Sequence, residues 1–342
     1  MSRNATKDLT TGSPMKLILG FGIPLLFGML FQQFYNMMDT IIVGKFLGVS
    51  ALASVGATGS INFMIIGFCM GVCNGFAIPV AQRFGAKDEH GMRKFVANSV
   101  WLSIIFAVVM AVLVCVFCRQ ILELMNTPED IIDGSYSYIF VIFLGIPATY
   151  MYNLLSGIMR SLGDSKTPLY LLIFSSILNI ILDLLSIIVL KMGVAGAAWA
   201  TVIAQAVSGF CCLGVIWKKF PILHVQREEW QPDKLCILNL CNMGIPMGLQ
   251  YSITAIGSVI IQAAVNSLGS VAVASVAAAV KINMFLCCPY DAMGSTMATY
   301  AGQNVGAGKF DRLKQGEKSC TLLGLVYGIA AFIFILLFGK YL

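Results

Sequence analysis

Residues 169–191 read LYLLIFSSILNIILDLLSIIVLK. The run is apolar almost throughout and long enough to cross a bilayer as one helix, for which about 20 residues suffice. It carries one carboxylate, Asp183. A charge in hydrocarbon is expensive, and acids kept there mark ion or substrate pathways. Asn179 stands four residues earlier, so the two side chains share a helical face. Two readings compete for Asp183. It is either a residue near a helix end that snorkels to water or part of a coupling-ion site in a membrane transporter. The rest of the chain favours the second.

The 342 residues are 58% hydrophobic and 11% charged. A soluble domain is nearer 25% charged, so the composition predicts an all-α, polytopic membrane protein. Nine spans fit the charge-free runs, at roughly 17–42, 52–80, 95–118, 136–158, 168–190, 194–217, 238–264, 272–300 and 319–339. The first run has no small-residue cleavage site after it and reads as an uncleaved span, not a signal peptide. Pro24 and Pro246 fall inside the first and seventh spans, where each removes a backbone bond and is expected to kink its helix.

The net charge of +6 reflects loop charge, not nucleic-acid binding. Most basic residues fall on one side of the nine-span layout, including Arg160 and Lys166. Lys45, Arg119, Lys191 and Lys340 fall on the other, and Lys281 lies within a span. This asymmetry puts the N-terminus in the cytoplasm and Leu342 outside. The 11 cysteines are scattered through apolar runs and read as buried free thiols. His90 and His224 are far apart and make no cluster.

The chain repeats itself. Gly22-Ile-Pro24 matches Gly244-Ile-Pro246, Leu47-Gly48 matches Leu268-Gly269, Val55 matches Val276 and Asn62 matches Asn283. The clearest match is QRFGA from Gln82 against QNVGA from Gln303. Six spans separate the copies, an even number, so the units point the same way: parallel repeats about an axis along the membrane normal. The first unit is residues 1–222. The second, residues 223–342, holds three helices and reads as truncated. Gly67, Gly71 and Gly75 in the second span read as a helix-packing stripe.

Three acids lie within spans: Asp39, Asp183 and Asp291. Counting from Lys45 and Lys191 at about 1.5 Å per residue, Asp39 lies ~9 Å, Asp183 ~12 Å, Thr201 ~15 Å and Asn179 ~18 Å from the outer end. Four polar residues on three helices thus share one layer. Two carboxylates, an amide and a hydroxyl can hold a proton or a dehydrated Na+, since hard cations take oxygen ligands. Lys281 and Asp291 share a span ten residues apart, so they do not pair along the helix. Either they line a cavity or Lys281 solvates a kinked segment.

No catalytic constellation appears. There is no Walker motif, HExxH, paired histidines or nucleophile elbow. The chain does not read as an enzyme, and its work would be driven by an ion gradient.

At these residues the chain resembles the MATE (multidrug and toxic compound extrusion) family. The resemblance spans the whole chain. It is carried by Pro24, by Asp39 in MMDTIIVGKFLG, by AQRFGA at 81–86, RSLGDSKTPLY at 160–170, NIILD at 179–183, GVAGAAWAT at 193–201 and GQNVGAG at 302–308. It implies two lobes of six helices, the second incomplete here, around a cavity open alternately to each side. It implies export of organic cations or similar drugs in exchange for H+ or Na+, by a monomer in the cell membrane, with no other cofactor. By resemblance Asp39, Asn179, Asp183 and Thr201 form the coupling site, Tyr35 and Asn153 line the same cavity, and the first helix bends at Pro24. One branch has a glutamate eight residues after the Gly-x-Pro proline of the seventh helix. Here that residue is Thr254, which favours a site in the first lobe. The runner-up is a lipid-linked oligosaccharide flippase of the same superfamily, which calls for a cationic cavity. A membrane-embedded lipid transferase would need a charged cluster at the membrane surface, which the loops do not offer.

Overall fold

The computed structural model describes residues 6–266 and 270–339, which form helices and turns with no strand among them. In order they are α1 (Pro14–Leu47), α2 (Val49–Ala57), α3 (Gly59–Gly85), α4 (Glu89–Val116), α5 (Cys118–Leu124), α6 (Glu129–Leu144), α7 (Ile146–Ser161) and α8 (Lys166–Leu184), which ends in a π turn (Leu185–Val189). Then come α9 (Gly193–Lys219), α10 (Lys234–Asn266), α11 (Ser270–Gly306) and α12 (Phe310–Phe338). Each of the nine expected spans is occupied by a helix or a helix pair. Among the described residues α1, α3, α4, α8 with its π turn, α9 and α12 are each long and apolar enough to cross a bilayer, and α6 and α7 are so only when taken together as a bent pair. On α4 the face bearing Trp101, Ile104, Val108 and Val112 is exposed, as suits a helix bathed in lipid.

Three spans are less regular than expected. The fourth breaks at Gly145, where α6 and α7 meet at 46°. Pro147 sits in the first turn of α7 and cannot donate to the preceding turn. A Cβ on Gly145 would strike the Val202 side chain of α9, so glycine is needed for the elbow to press on its neighbour. The second span is preceded by the separate short helix α2. The fifth widens into the π turn two residues after Asp183, a form frequent at functional sites. α1 and α10 run unbroken through Pro24 and Pro246.

The repeat is visible in the packing. Gly22 of α1 touches Thr296 of α11, and their counterparts Gly244 of α10 and Gly75 of α3 touch each other. Gly85 lies against the backbone of Gln303, and Gly306 against that of Gln82. Each contact recurs with the partners' roles exchanged, as a two-fold axis requires. Equivalent helix ends meet at the same end of the bundle, so the repeats are parallel. The stripe of Gly67, Gly71 and Gly75 faces α10, and Gly71 and Gly75 sit directly on the backbone around Met247 and Gly244. Small residues let the two units approach to backbone contact. The Leu268-Gly269 half of one repeat match lies outside the described residues.

The N-terminal segment ties the two units together where α3 and α11 end. Lys7 N–H donates to Leu162 O (2.9 Å), and Leu9 N–H to Gln303 Oε1 (2.8 Å). Gln303 Nε2 donates in turn to Ser161 O (2.8 Å). Asn304 Nδ2 reaches Leu9 O (3.3 Å), Lys309 Nζ reaches Thr10 O (2.9 Å) and Arg312 Nη2 reaches Gly12 O (2.9 Å). Leu9 is 1% exposed. A polar stretch with no periodicity is thus a strap across the seam.

The linker from α9 to α10 docks on α4. Glu229, 1% exposed, accepts from Arg93 Nε (2.9 Å) and from Gln226 N–H (2.8 Å), and meets His90 Nδ1 at 2.9 Å. Burial opposes its ionisation. The Gln226 N–H, Arg93 and His90 outweigh that and hold the carboxyl below its ordinary range. Asp233 caps α10 through Leu235 and Cys236 N–H (2.8 and 3.0 Å). The bond from Lys94, with these caps, brings its pKa down to about 2.

Candidate functional site

Asp39 projects from α1, Asn179 and Asp183 from α8, and Thr201 from α9. The structure brings all four together, as the shared depth implied. Asp39 is 9% exposed, Asn179 1% and Asp183 0%. Asp183 therefore does not snorkel to water. Thr201 Oγ1 accepts from Tyr35 Oη (3.2 Å) and from Asn179 Nδ2 (3.3 Å). The two carboxyls are near enough to interact directly. Tyr138 of α6 lies within electrostatic reach of both.

The site is rich in acceptors and poor in donors. Asp39 Oδ1, Asn179 Oδ1 and both Asp183 carboxyl oxygens are buried with no hydrogen-bond partner among the described residues. An orphaned buried acceptor costs about 1–3 kcal/mol, more for a charged one. Two adjacent carboxylates add their mutual repulsion. A proton shared between them, or a hard cation ligated by their oxygens, removes both costs. The residues therefore fit H+ or Na+ on the chemistry of the donor set alone.

The pocket has one wall on a larger cavity. Tyr35, Asp39, Tyr138 and Thr201 line a space of about 400 Å³ that Asp291 of α11 also lines. That volume suits a drug-sized molecule, for which ligand pockets run from about 300 to 1,000 Å³. Asp183 and Asn179 sit behind Asp39, away from this surface. A second cavity, toward the strap, is lined by Pro24, Tyr35, Asn74, Asn153, Arg160 and Gln205 among others. Asn153 Nδ2 bonds Thr149 O of its own helix (2.8 Å), so Asn153 borders the cavity and does not touch the carboxylates. Thr149 Oγ1 holds Gln205 Oε1 (2.6 Å), fixing an amide on both cavities. Thr254 bonds its own helix at Gln250 O (2.9 Å). The side chain of Lys281 lies outside the described residues.

Sequence reasoning missed two residues of these cavities. Tyr138 lines the same cavity as Asp39 from a fourth helix, and no spacing marks it among the apolar residues of its span. Arg160 counts among the basic residues just past the expected fourth span. It stands in the last turn of α7, half-buried, and lines two cavities between the units. A charge count places a residue on a side of the membrane but cannot say which way it faces.

The MatE family profile matches residues 24–185 and 246–342. The chain is 31% identical over 329 residues to the probable multidrug resistance protein YoeA of Bacillus subtilis, covering 93% of this chain and 70% of that one. It is 29% identical over 337 residues to the probable multidrug resistance protein YpnP of the same organism, covering 98% and 75%. Among solved structures it resembles the outward-facing conformation of a multidrug resistance MATE family transporter of the MOP superfamily. There the TM-score is 0.90 at 25% identity, with 97% of this chain and 74% of that chain covered.

Proposed function

The chain belongs to the MatE family, and from that premise we propose that it is a secondary active exporter of organic cations and similar xenobiotics, working in antiport with H+ or Na+. It is a multi-pass membrane protein. In this reading it sits in the cell membrane as a monomer, the strap end is cytoplasmic, and the lobes are residues 1–222 and 223–342.

One observation carries the coupling: four orphaned acceptor oxygens on Asp39, Asn179 and Asp183, behind a cavity wall that Asp39 itself forms. A proton or Na+ taken there cancels the repulsion between the carboxylates. Cationic cargo held in the cavity draws on the same negative charge. Ion and cargo then compete for Asp39, so ion entry releases cargo. The cycle requires the ion to bind one state of the protein better than the other, because an equal affinity shifts nothing. Pro24 lines the cavity on α1, one helix that would move. It leaves a backbone carbonyl without its helical donor, a weak point at which α1 can bend as the charge on Asp39 changes.

The flippase alternative calls for a cationic cavity. Among the described residues lining these cavities Arg160 is the one cation, so that reading is not favoured. The test is efflux of a fluorescent organic cation from cells expressing the protein from its own gene. Asp39→Asn and Asp183→Asn should each abolish gradient-driven export with the protein still inserted. Normal export and ion dependence in both variants would place coupling elsewhere.

A further inference from the structure

Three of the chain's four tryptophans gather around the linker from α9 to α10. Trp101 of α4 meets Trp230 edge to face at 6.3 Å, and its Nε1 donates to Trp230 O (3.1 Å). Trp217, in the last turn of α9, stacks on His224 at 4.7 Å. These rings are ordered yet left outside: Trp101 is 43% exposed, Trp217 70% and Trp230 40%. The linker's inward side is filled by Phe220, Leu223 and Glu229, all buried. One side of the linker is thus fixed on the bundle and the other faces out.

The charges sort the same way. Glu229 and Asp233 are spent on Arg93 and Lys94 of α4. Lys218, Lys219, Arg227 and Lys234 are exposed, and among the described residues they make no ion pair. Glu228 is the linker's one exposed acid without a partner there. The outward surface therefore keeps four cations against one anion. It lies at the strap end of the bundle, since Ile222 shares a cavity wall with Asp8 and Thr10.

We propose that this linker surface docks anionic phospholipid. Basic clusters beside a membrane span attract anionic headgroups, and exposed tryptophans settle at the level where headgroups meet acyl chains. Lipid phosphates meet Lys218, Lys219, Arg227 and Lys234 while Trp217 and Trp230 anchor at that boundary. A soluble acidic partner would answer the charges and leave the rings unexplained. The rings continue the exposed face of α4 that carries Trp101, Ile104, Val108 and Val112, which selects lipid as the occupant. The inference does not rest on the transport reading.

The test is tryptophan quenching in the intact chain reconstituted into phosphatidylcholine vesicles. Phosphatidylglycerol or phosphatidylcholine, each brominated near the headgroup end of one acyl chain, is added in rising proportion. The wild type should prefer the brominated phosphatidylglycerol about fivefold, the scale of one basic side chain at an anionic surface. High salt should shrink that preference. The triple variant Lys218→Gln, Lys219→Gln, Arg227→Gln should erase it. Lys218→Arg, Lys219→Arg, Arg227→Lys, which keeps the charge, should retain it and guards against a folding artefact. Lys314→Gln with Lys318→Gln, exposed on α12 near the strap end, should leave most of it. Equal quenching by the two lipids in the wild type would overturn the inference. So would a preference that survives the glutamine triple variant, or one that the α12 variant removes as fully.

Discussion

Gly85 of α3 packs directly beneath the backbone carbonyl of Gln303 on α11, so closely that a Cβ at position 85 would overlap the oxygen. The repeat produces the same contact in reverse, with Gly306 under the carbonyl of Gln82. These are backbone contacts, so no rotamer change can relieve a clash. Gly85→Ala and Gly306→Ala should therefore each force the seam apart. Overpacking of this kind costs about 1–3 kcal/mol, enough to shift a closed-to-open ratio tenfold. Hydrogen exchange at residues 7–12 should accelerate accordingly. Unchanged protection in both variants would mean that the seam is not what holds the strap.

The strap makes a separate prediction. Gln303 accepts from Leu9 N–H and donates to Ser161 O, so a single side chain bridges the N-terminal segment and the end of α7. Gln303→Leu keeps the volume and removes both bonds. It leaves a buried N–H unpartnered, at about 1–3 kcal/mol. The purified variant should melt earlier than the wild type, and the Leu9 amide should exchange faster. Melting at the wild-type temperature would argue against the bridge.

The linker predicts a pH effect. Glu229 has its carboxyl held below the ordinary glutamate range in the folded protein, and Asp233 is brought from the ordinary 3.8 to about 2. A lowered folded pKa means that the unfolded chain binds protons more readily. The stabilisation is thus fully present above the unfolded values, and it fades as pH falls through that range toward about 2. Glu229→Gln should destabilise the protein by about 2 kcal/mol at neutral pH, the scale of a charged hydrogen bond. The gap between variant and wild type should close on acidification. Melting curves recorded from pH 7 down to pH 3 check this, and a gap that widens instead would contradict the assignment.

Much of this was legible in the sequence, for a physical reason. Hydrocarbon forces long apolar runs, so the helices stand out by composition, and among the described residues six of them are long and apolar enough to cross a bilayer. The same constraint makes Asp39, Asn179 and Asp183 conspicuous, and helix rise gives each residue a depth, which is why Thr201 could be grouped with them. Depth carries no azimuth. Tyr138 lines the cavity beside Asp39 from another helix at no special spacing. Arg160 looked like any basic residue flanking a span, yet it points between the units. The elbow at Gly145 depends on contact with Val202, and the strap's partners Gln303, Asn304, Lys309 and Arg312 lie nearly the whole chain away from it. Pairings of that kind are fixed by tertiary packing.

The last prediction separates the two coupling carboxylates. Asp39 forms part of the cavity wall, whereas Asp183 is fully buried behind it. Cargo can touch the first and not the second. Asp183→Asn should therefore remove ion binding but leave cargo binding near normal. Asp39→Asn should weaken both, because it takes away the charge that cargo sees as well as one ligand of the ion. Asn179→Ala and Thr201→Ala delete neutral oxygens and should reduce ion affinity without abolishing it. Asp291→Asn should affect cargo alone, since Asp291 lies across the cavity on α11. Thermal stability against Na+ concentration and against pH reads the ion, because a ligand at 100 times its Kd stabilises the state that binds it by about 2.7 kcal/mol. Titration with a fluorescent monocation reads the cargo. The wild type should gain stability with whichever ion couples, Asp39→Asn and Asp183→Asn should not, and the cargo titration should distinguish those two variants from each other. Should Asp183→Asn impair cargo binding as severely as Asp39→Asn, the two residues would share one surface, and competition at Asp39 would not describe how the ion expels the cargo.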